Sequence, residues 1–146
     1  MRMVLGKEKL NRKLDALAQN RGLCRGIAKA CLIVEATAVE NCPVNDGQLK
    51  GSITAIPPKE TDANPVGIVG TNLKYAPYVE LGTGLFAANG DGRKDVPWRY
   101  QDEEGNWHTT SGQHPQPFLG PALRENADKV KRCIAAEYRK EVSGNG

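Results

Sequence analysis

Residues 75–84 read Tyr75-Ala76-Pro77-Tyr78-Val79-Glu80-Leu81-Gly82-Thr83-Gly84, and the way this stretch bends decides how the chain on either side of it is arranged. Pro77 fixes its own φ and biases Ala76 toward extended geometry, so the sequence predicts a shaped turn and not a simple helix. Gly82 and Gly84 then release the chain into whatever conformation the next segment needs. Taken alone, the stretch is an aromatic knuckle followed by a flexible exit.

On its N-terminal side, Val66-Gly67-Ile68-Val69-Gly70 predicts a short strand. The polar loop 59–65 and Pro57-Pro58 separate it from a first strand read over residues 49–56, where Leu49, Ile53 and Ile56 are apolar. A turn of Cys42-Pro43-Val44-Asn45-Asp46-Gly47 precedes that strand. Upstream, residues 7–41 carry a helical pattern: Leu10, Leu17, Cys24, Cys31 and Ala38 recur every seven positions. Asn20-Arg21-Gly22 predicts a kink or a break into two helices. A helix this long in a small domain cannot be covered by its own chain, so part of its face is expected to meet a partner.

On the C-terminal side, the composition shifts to Ala, Asn, Gly, Asp and basic residues, which predicts a long mobile loop over 85–96. Trp98, Tyr100 and Trp107 flank an acidic turn, Asp102-Glu103-Glu104-Gly105, and together predict a β-hairpin. Pro121 opens a final helix whose stripe is Leu119, Leu123, Ala127, Val130, Ile134 and Tyr138. Residues 143–146 read as a frayed tail. The expected fold is α+β: a long N-terminal helix and a C-terminal helix packed on a small antiparallel sheet, with an extended β-hairpin.

The chain has 146 residues, enough for one domain over 1–146 with the helical segment at 1–41. Aromatic residues are only 5%, so the core is expected to be aliphatic and alanine-based. With no apolar span and no signal-peptide pattern, the expectation is a soluble protein folded in a cytoplasm, with no membrane partner. The net charge of +3 is uneven: residues 1–30 hold eight Lys or Arg against Glu8 and Asp15. That basic segment is either a solvated helix face or a contact for nucleic acid. Cys24, Cys31, Cys42 and Cys133 form no metal-ligand spacing and are expected to be thiols that pack the core.

No enzyme signature emerges. Ser111 lies near His108 and His114 without an oxyanion-hole motif. Rather than an acid–base pair, Asp46 is read as capping or bending its turn, and Glu80 as accepting a hydrogen bond or a salt bridge at a subunit contact. Gly82-Thr83-Gly84 lacks the Lys and Ser or Thr of a phosphate loop. The hairpin aromatics could stack on bases, but the acids beside them repel phosphate, so an arm that docks on protein is the better reading. No catalytic residue, cofactor or metal ligand is assigned.

Three segments in this order carry a resemblance: residues 42–53, residues 69–83, and Pro115-Gln116-Pro117-Phe118-Leu119-Gly120-Pro121-Ala122-Leu123. From about Cys42 to the end, the chain resembles the gene-product-ten-like putative tail-component family of lambdoid tailed bacteriophages, which are neck, or head–tail joining, proteins. One position departs: family members usually show an acid then a threonine where this chain has Asn45 then Asp46.

The resemblance implies a structural virion morphogenesis protein without catalysis, assembled in the bacterial host cytoplasm and placed in the neck or tail of the virion. It implies a ring oligomer, with head-connector and tail-tube proteins as neighbours and weak contact with DNA passing through the neck. Tyr75, Tyr78, Glu80, Phe86, Trp98 and Trp107 are the expected protein contacts, together with the loop at 86–95. Two other readings stay open: a nucleic-acid-binding module using the basic N-terminal helix, and a small hydrolase using Ser111.

Overall fold

A computed structural model describes residues 7–18, 20–44 and 47–143, with the side chains of 16–18 left aside. Asn45, Asp46 and the tail residues 144–146 lie outside the described residues. The architecture is α+β, with two two-stranded antiparallel sheets among helices.

The N-terminal pattern resolves into two helices, α1 (Lys7–Ala18) and α2 (Arg21–Asn41). Asn20 makes the break: its φ of 54° is left-handed, which asparagine tolerates better than most residues. Its amide Nδ2 donates to the Ala63 carbonyl at 2.8 Å, tying the break to the loop before the second strand. Cys24, Cys31 and Ala38 of the heptad stripe are buried, whereas Leu10 and Leu14 on α1 are exposed.

The strand expected over residues 49–56 is a correction. The chain forms a short helix, α3 (Gly47–Ser52), and only then strand β1 (Thr54–Ile56). Leu49 and Ile53 are both buried and four apart, which is helical spacing and not the alternation of a strand. β1 pairs antiparallel with β2 (Ile68–Gly70), Ala55 opposite Val69. The Ala55 N–H donates to Glu35 Oε2 of α2 at 2.7 Å, anchoring the sheet to that helix.

The knuckle is a second correction. Ala76–Leu81 is a helix, α4, with Pro77 in its first turn, where a missing N–H costs nothing. Gly82 then takes φ 76°, and a single 3₁₀ turn follows at Gly84–Phe86. The exit is not flexible in geometry but pinned. The Thr83 N–H donates to the Gln113 carbonyl (2.9 Å), and the Leu85 N–H to the Ser111 carbonyl (3.1 Å).

The hairpin forms as expected, β3 (Trp98–Gln101) against β4 (Trp107–Thr110). The final helix is split into α5 (Leu119–Glu125) and α6 (Ala127–Ser143) by Asn126, which is buried. Asn126 Nδ2 donates to the Ala122 carbonyl and to Thr37 Oγ1, both at 2.8 Å, so the break is held against α2. On the stripe, Leu123 and Tyr138 are exposed and do not enter the core.

α2 and α6 make the dominant contact of the fold. Gly22 faces Glu141, Gly26 faces Ile134, and Thr37 meets Asn126, so the two helices run antiparallel. The core clusters around Phe118, Leu49, Ala38 and Ala122, all 0% exposed, with Tyr75, Val79 and Val130 packed on its rim. The small sheet lies on α2, while α6 packs chiefly on α2 itself.

Candidate interaction surface

Two of the expected contact residues serve the fold first. Glu80 projects from α4 onto the N-terminus of α5. Its Oε2 accepts from the N–H groups of Phe118 (2.7 Å) and Leu119 (3.0 Å), and its Oε1 from Gly120 (2.8 Å). An α-helix leaves its first N–H groups without internal partners, and a carboxylate there also meets the positive end of the helix dipole. Both oxygens of Glu80 are therefore engaged within the chain. Tyr75 is half-buried against the core.

Tyr78 and Trp98 are brought together. They line one cleft of about 490 Å³, with Pro77, Leu81 and Arg93, beside the segment 87–93. The Arg93 guanidinium lies 5.2 Å from the Trp98 ring centre, a cation–π contact. Phe86 lies instead against His114, with ring centres 3.8 Å apart and the rings tilted by 32°. Trp107 stands apart from this cleft on the hairpin and is 61% exposed.

A two-stranded hairpin is marginal in water by itself, so its local bonds matter. Asp102 organises the turn: its Oδ1 accepts from the N–H groups of Glu104 (3.0 Å) and Asn106 (2.8 Å), and its Oδ2 contacts His108 Nε2 at 2.7 Å. The His108 hydrogen bond, then those from Asn106 and Glu104, hold the Asp102 carboxyl below the usual range. The two faces of the ribbon are decorated differently. Tyr100 stacks on His108 (5.2 Å) on one, and the Arg99 guanidinium sits 5.0 Å from the Trp107 ring centre on the other.

Both histidines near Ser111 are thus committed elsewhere, His108 to Asp102 and Tyr100, His114 to Phe86. The Ser111 carbonyl meets the Leu85 N–H. Among the described residues, no group of three or more His, Cys, Asp or Glu is placed to hold a metal. No helix among them is long and apolar enough to cross a membrane.

Two features escaped the sequence. The first is an apolar groove of about 430 Å³ between α2, β2 and the C-terminal helices, lined by Ile27, Val34, Val69, Leu123, Val130 and Ile134. The C-terminal stripe is thus in part the wall of a groove. The second is a charge network across α2 and α6. Glu137 and Glu141 are buried, and Arg25 Nη2 reaches Glu141 Oε2 at 2.5 Å while Lys29 pairs with Glu137. Lys140 adds a contact to Glu137 at 3.2 Å. The hydrogen bonds from Lys29 and then Lys140 hold the Glu137 carboxyl below its ordinary range. The sequence spaces two bases, Arg25 and Lys29, four apart on α2 and two acids, Glu137 and Glu141, four apart on α6, but no spacing along the chain pairs one set with the other.

A family model described as bacteriophage HK97-gp10, putative tail-component, matches residues 8–82 of the chain. The match takes in α1 from its second residue, all of α2, the first resembling segment and all but the last residue of the second, and ends before the third. No curated protein and no solved structure matches the chain.

Proposed function

The chain belongs to the bacteriophage HK97-gp10 putative tail-component family, a family of structural virion proteins, and from that membership we propose that it acts in head–tail joining or tail completion as a ring-forming neck subunit. Its neighbours are head-connector and tail-tube proteins, and its place is the virion neck or tail after assembly in the host cytoplasm. The observation that best supports this is the β3–β4 arm. It packs chiefly on itself and presents Trp107 and Tyr100 to solvent, as an element does when its partner is another chain. A head-to-tail contact between unlike patches that closes on itself is the symmetry a neck requires. Tyr78 and Trp98, lining one cleft, are a second contact element for this reading.

The test is the mass in solution by light scattering across concentration, followed by negative-stain imaging of any large species. Rings with a central hole are the expected result and give the subunit number directly. A tight, closed dimer overturns the reading, because a two-fold contact builds no tube.

A second reading, a nucleic-acid-binding module, draws on the exposed Lys7, Lys9 and Arg12 of α1. It requires DNA affinity that falls steeply with salt, through release of counterions. Flat, negligible binding at low salt removes it.

A further inference from the structure

We propose that the β3–β4 arm of one subunit docks on α1 of a second copy, Trp107 covering the Leu10–Leu14 stripe while Glu103 and Glu104 meet Lys7 and Lys13. The inference rests on the ring-subunit reading and names the two surfaces that such a ring would join.

The arm side follows from the strand register. Arg99 lies opposite Thr109 and Gln101 opposite Trp107, so these four share one face of the ribbon. Trp107 is the large apolar group of that face, and the Arg99 guanidinium at 5.0 Å braces its ring. A braced aromatic loses little rotamer freedom when it is covered, which favours it as an anchor. At the tip, Asp102 is consumed by the turn, accepting from Glu104, Asn106 and His108. Glu103 and Glu104 are exposed beside it and give the tip its outward negative charge.

The α1 side is complementary in both respects. Leu10 and Leu14 stand one helical turn apart and are 56% and 53% exposed, an apolar stripe that the subunit itself leaves to water. On a helical projection Lys7 and Lys13 border that stripe on either side, three residues from Leu10 in each direction. Aromatic meets leucine, and acid meets lysine.

The partner is a second copy because the two patches are exposed together on the same subunit. α1 makes its chief contacts with α2 and α6, and the arm makes its chief one between its own two strands, with Trp107 left 61% exposed. Two unlike patches on one chain give a head-to-tail contact that repeats from subunit to subunit, where a like-to-like contact would stop at a dimer.

A charge-swap experiment tests this on the full chain. Variant one carries Glu103→Lys and Glu104→Lys, and variant two carries Lys7→Glu and Lys13→Glu; thermal melts confirm that each folds as the parent does. Self-association is read by sedimentation velocity, at the level of pairs as well as rings. Each variant alone is expected to associate at least tenfold more weakly than the parent. An equimolar mixture is expected to recover, because every arm then faces an α1 of opposite sign. Trp107→Ala, which touches no charge, is expected to weaken association likewise.

Parent rings that both reversals leave intact overturn the arm–α1 contact while the ring reading stands. Mixed-variant pairs that recover, with a parent that associates without closing into rings, support the contact and remove the ring reading. A mixture that stays as weak as its components, or a parent that is monomeric at every concentration, overturns the contact.

Discussion

Gly26 of α2 lies so close to Ile134 of α6 that a Cβ at position 26 would stand 2.7 Å from the Ile134 Cα. The neighbour is backbone and cannot turn aside. One turn earlier, a Cβ on Gly22 would meet Glu141 Cβ at 2.8 Å and the Glu137 carbonyl at 2.9 Å. The two glycines set the separation of the principal helix pair. Gly26→Ala is therefore expected to destabilise by about 2–3 kcal/mol, the upper range for overpacking, despite the better helix propensity of alanine. Gly51→Ala, where nothing lies within 4 Å, is the control and is expected to be neutral or slightly stabilising. Urea unfolding of the two variants measures the difference.

Glu80→Ala removes one carboxylate from three backbone donors at the start of α5. Phe118 is 0% exposed, so its N–H gains no water in exchange. The expected loss is roughly 2–3 kcal/mol, the cost of donors left unmet at a buried helix start. Glu80→Gln keeps one acceptor oxygen and is expected to recover part of it. Equal melting of parent and Glu80→Ala would remove the capping role.

Stability is expected to fall on the acid side through Glu137. Lys29 first, then Lys140, hold its folded pKa below the ordinary glutamate value. A lowered folded value means that the contribution is fully present above the unfolded pKa of about 4.3 and is lost as pH falls through the folded value. Asp102, lowered first by His108, acts in the same direction. The melting temperature should thus hold from neutrality to about pH 5 and drop below pH 4. Glu137→Gln should lower it at pH 7 and flatten the acid limb. An unchanged acid limb in that variant would show that the network contributes nothing.

Cys24 and Cys31 are expected to resist thiol reagents in the folded protein. Burial is the main cause that raises both thiols above their ordinary pKa, with Asp62 adding to Cys24 and Glu35 to Cys31. The thiolate is the reactive form, so protection is both steric and electrostatic. Labelling with a maleimide at pH 7, followed by peptide mapping, should find these two modified only after denaturant is added. Rapid native labelling of Cys31 would mean that α2 is not packed as described.

Much of the fold is legible in the sequence. Cys24, Cys31 and Ala38 entered the core from the seven-residue repeat, and the hairpin followed from aromatics around an acidic glycine turn. The break at Asn20 came from turn chemistry. The two differences have separate local causes. Leu49, Ile53 and Ile56 fit a strand by residue type, but Leu49 and Ile53 are four apart and their burial chose a helix. In 75–84, Pro77 was weighed as a breaker when a helix tolerates it in its first turn.

The sequence by itself determined the period-encoded features: the buried stripe of α2, the β3–β4 hairpin and, through residues within 8–82, the family. These are local, because each rests on spacings of two, three, four or seven residues along one segment. Only the tertiary structure decided that Glu80 caps a helix begun 39 residues later, and that Gly22 and Gly26 admit α6. It alone placed Glu137 and Glu141 inside, against Arg25 and Lys29. A buried charge is tolerated only where an opposite charge has been carried to it by the rest of the chain, and no local spacing records where that partner will arrive.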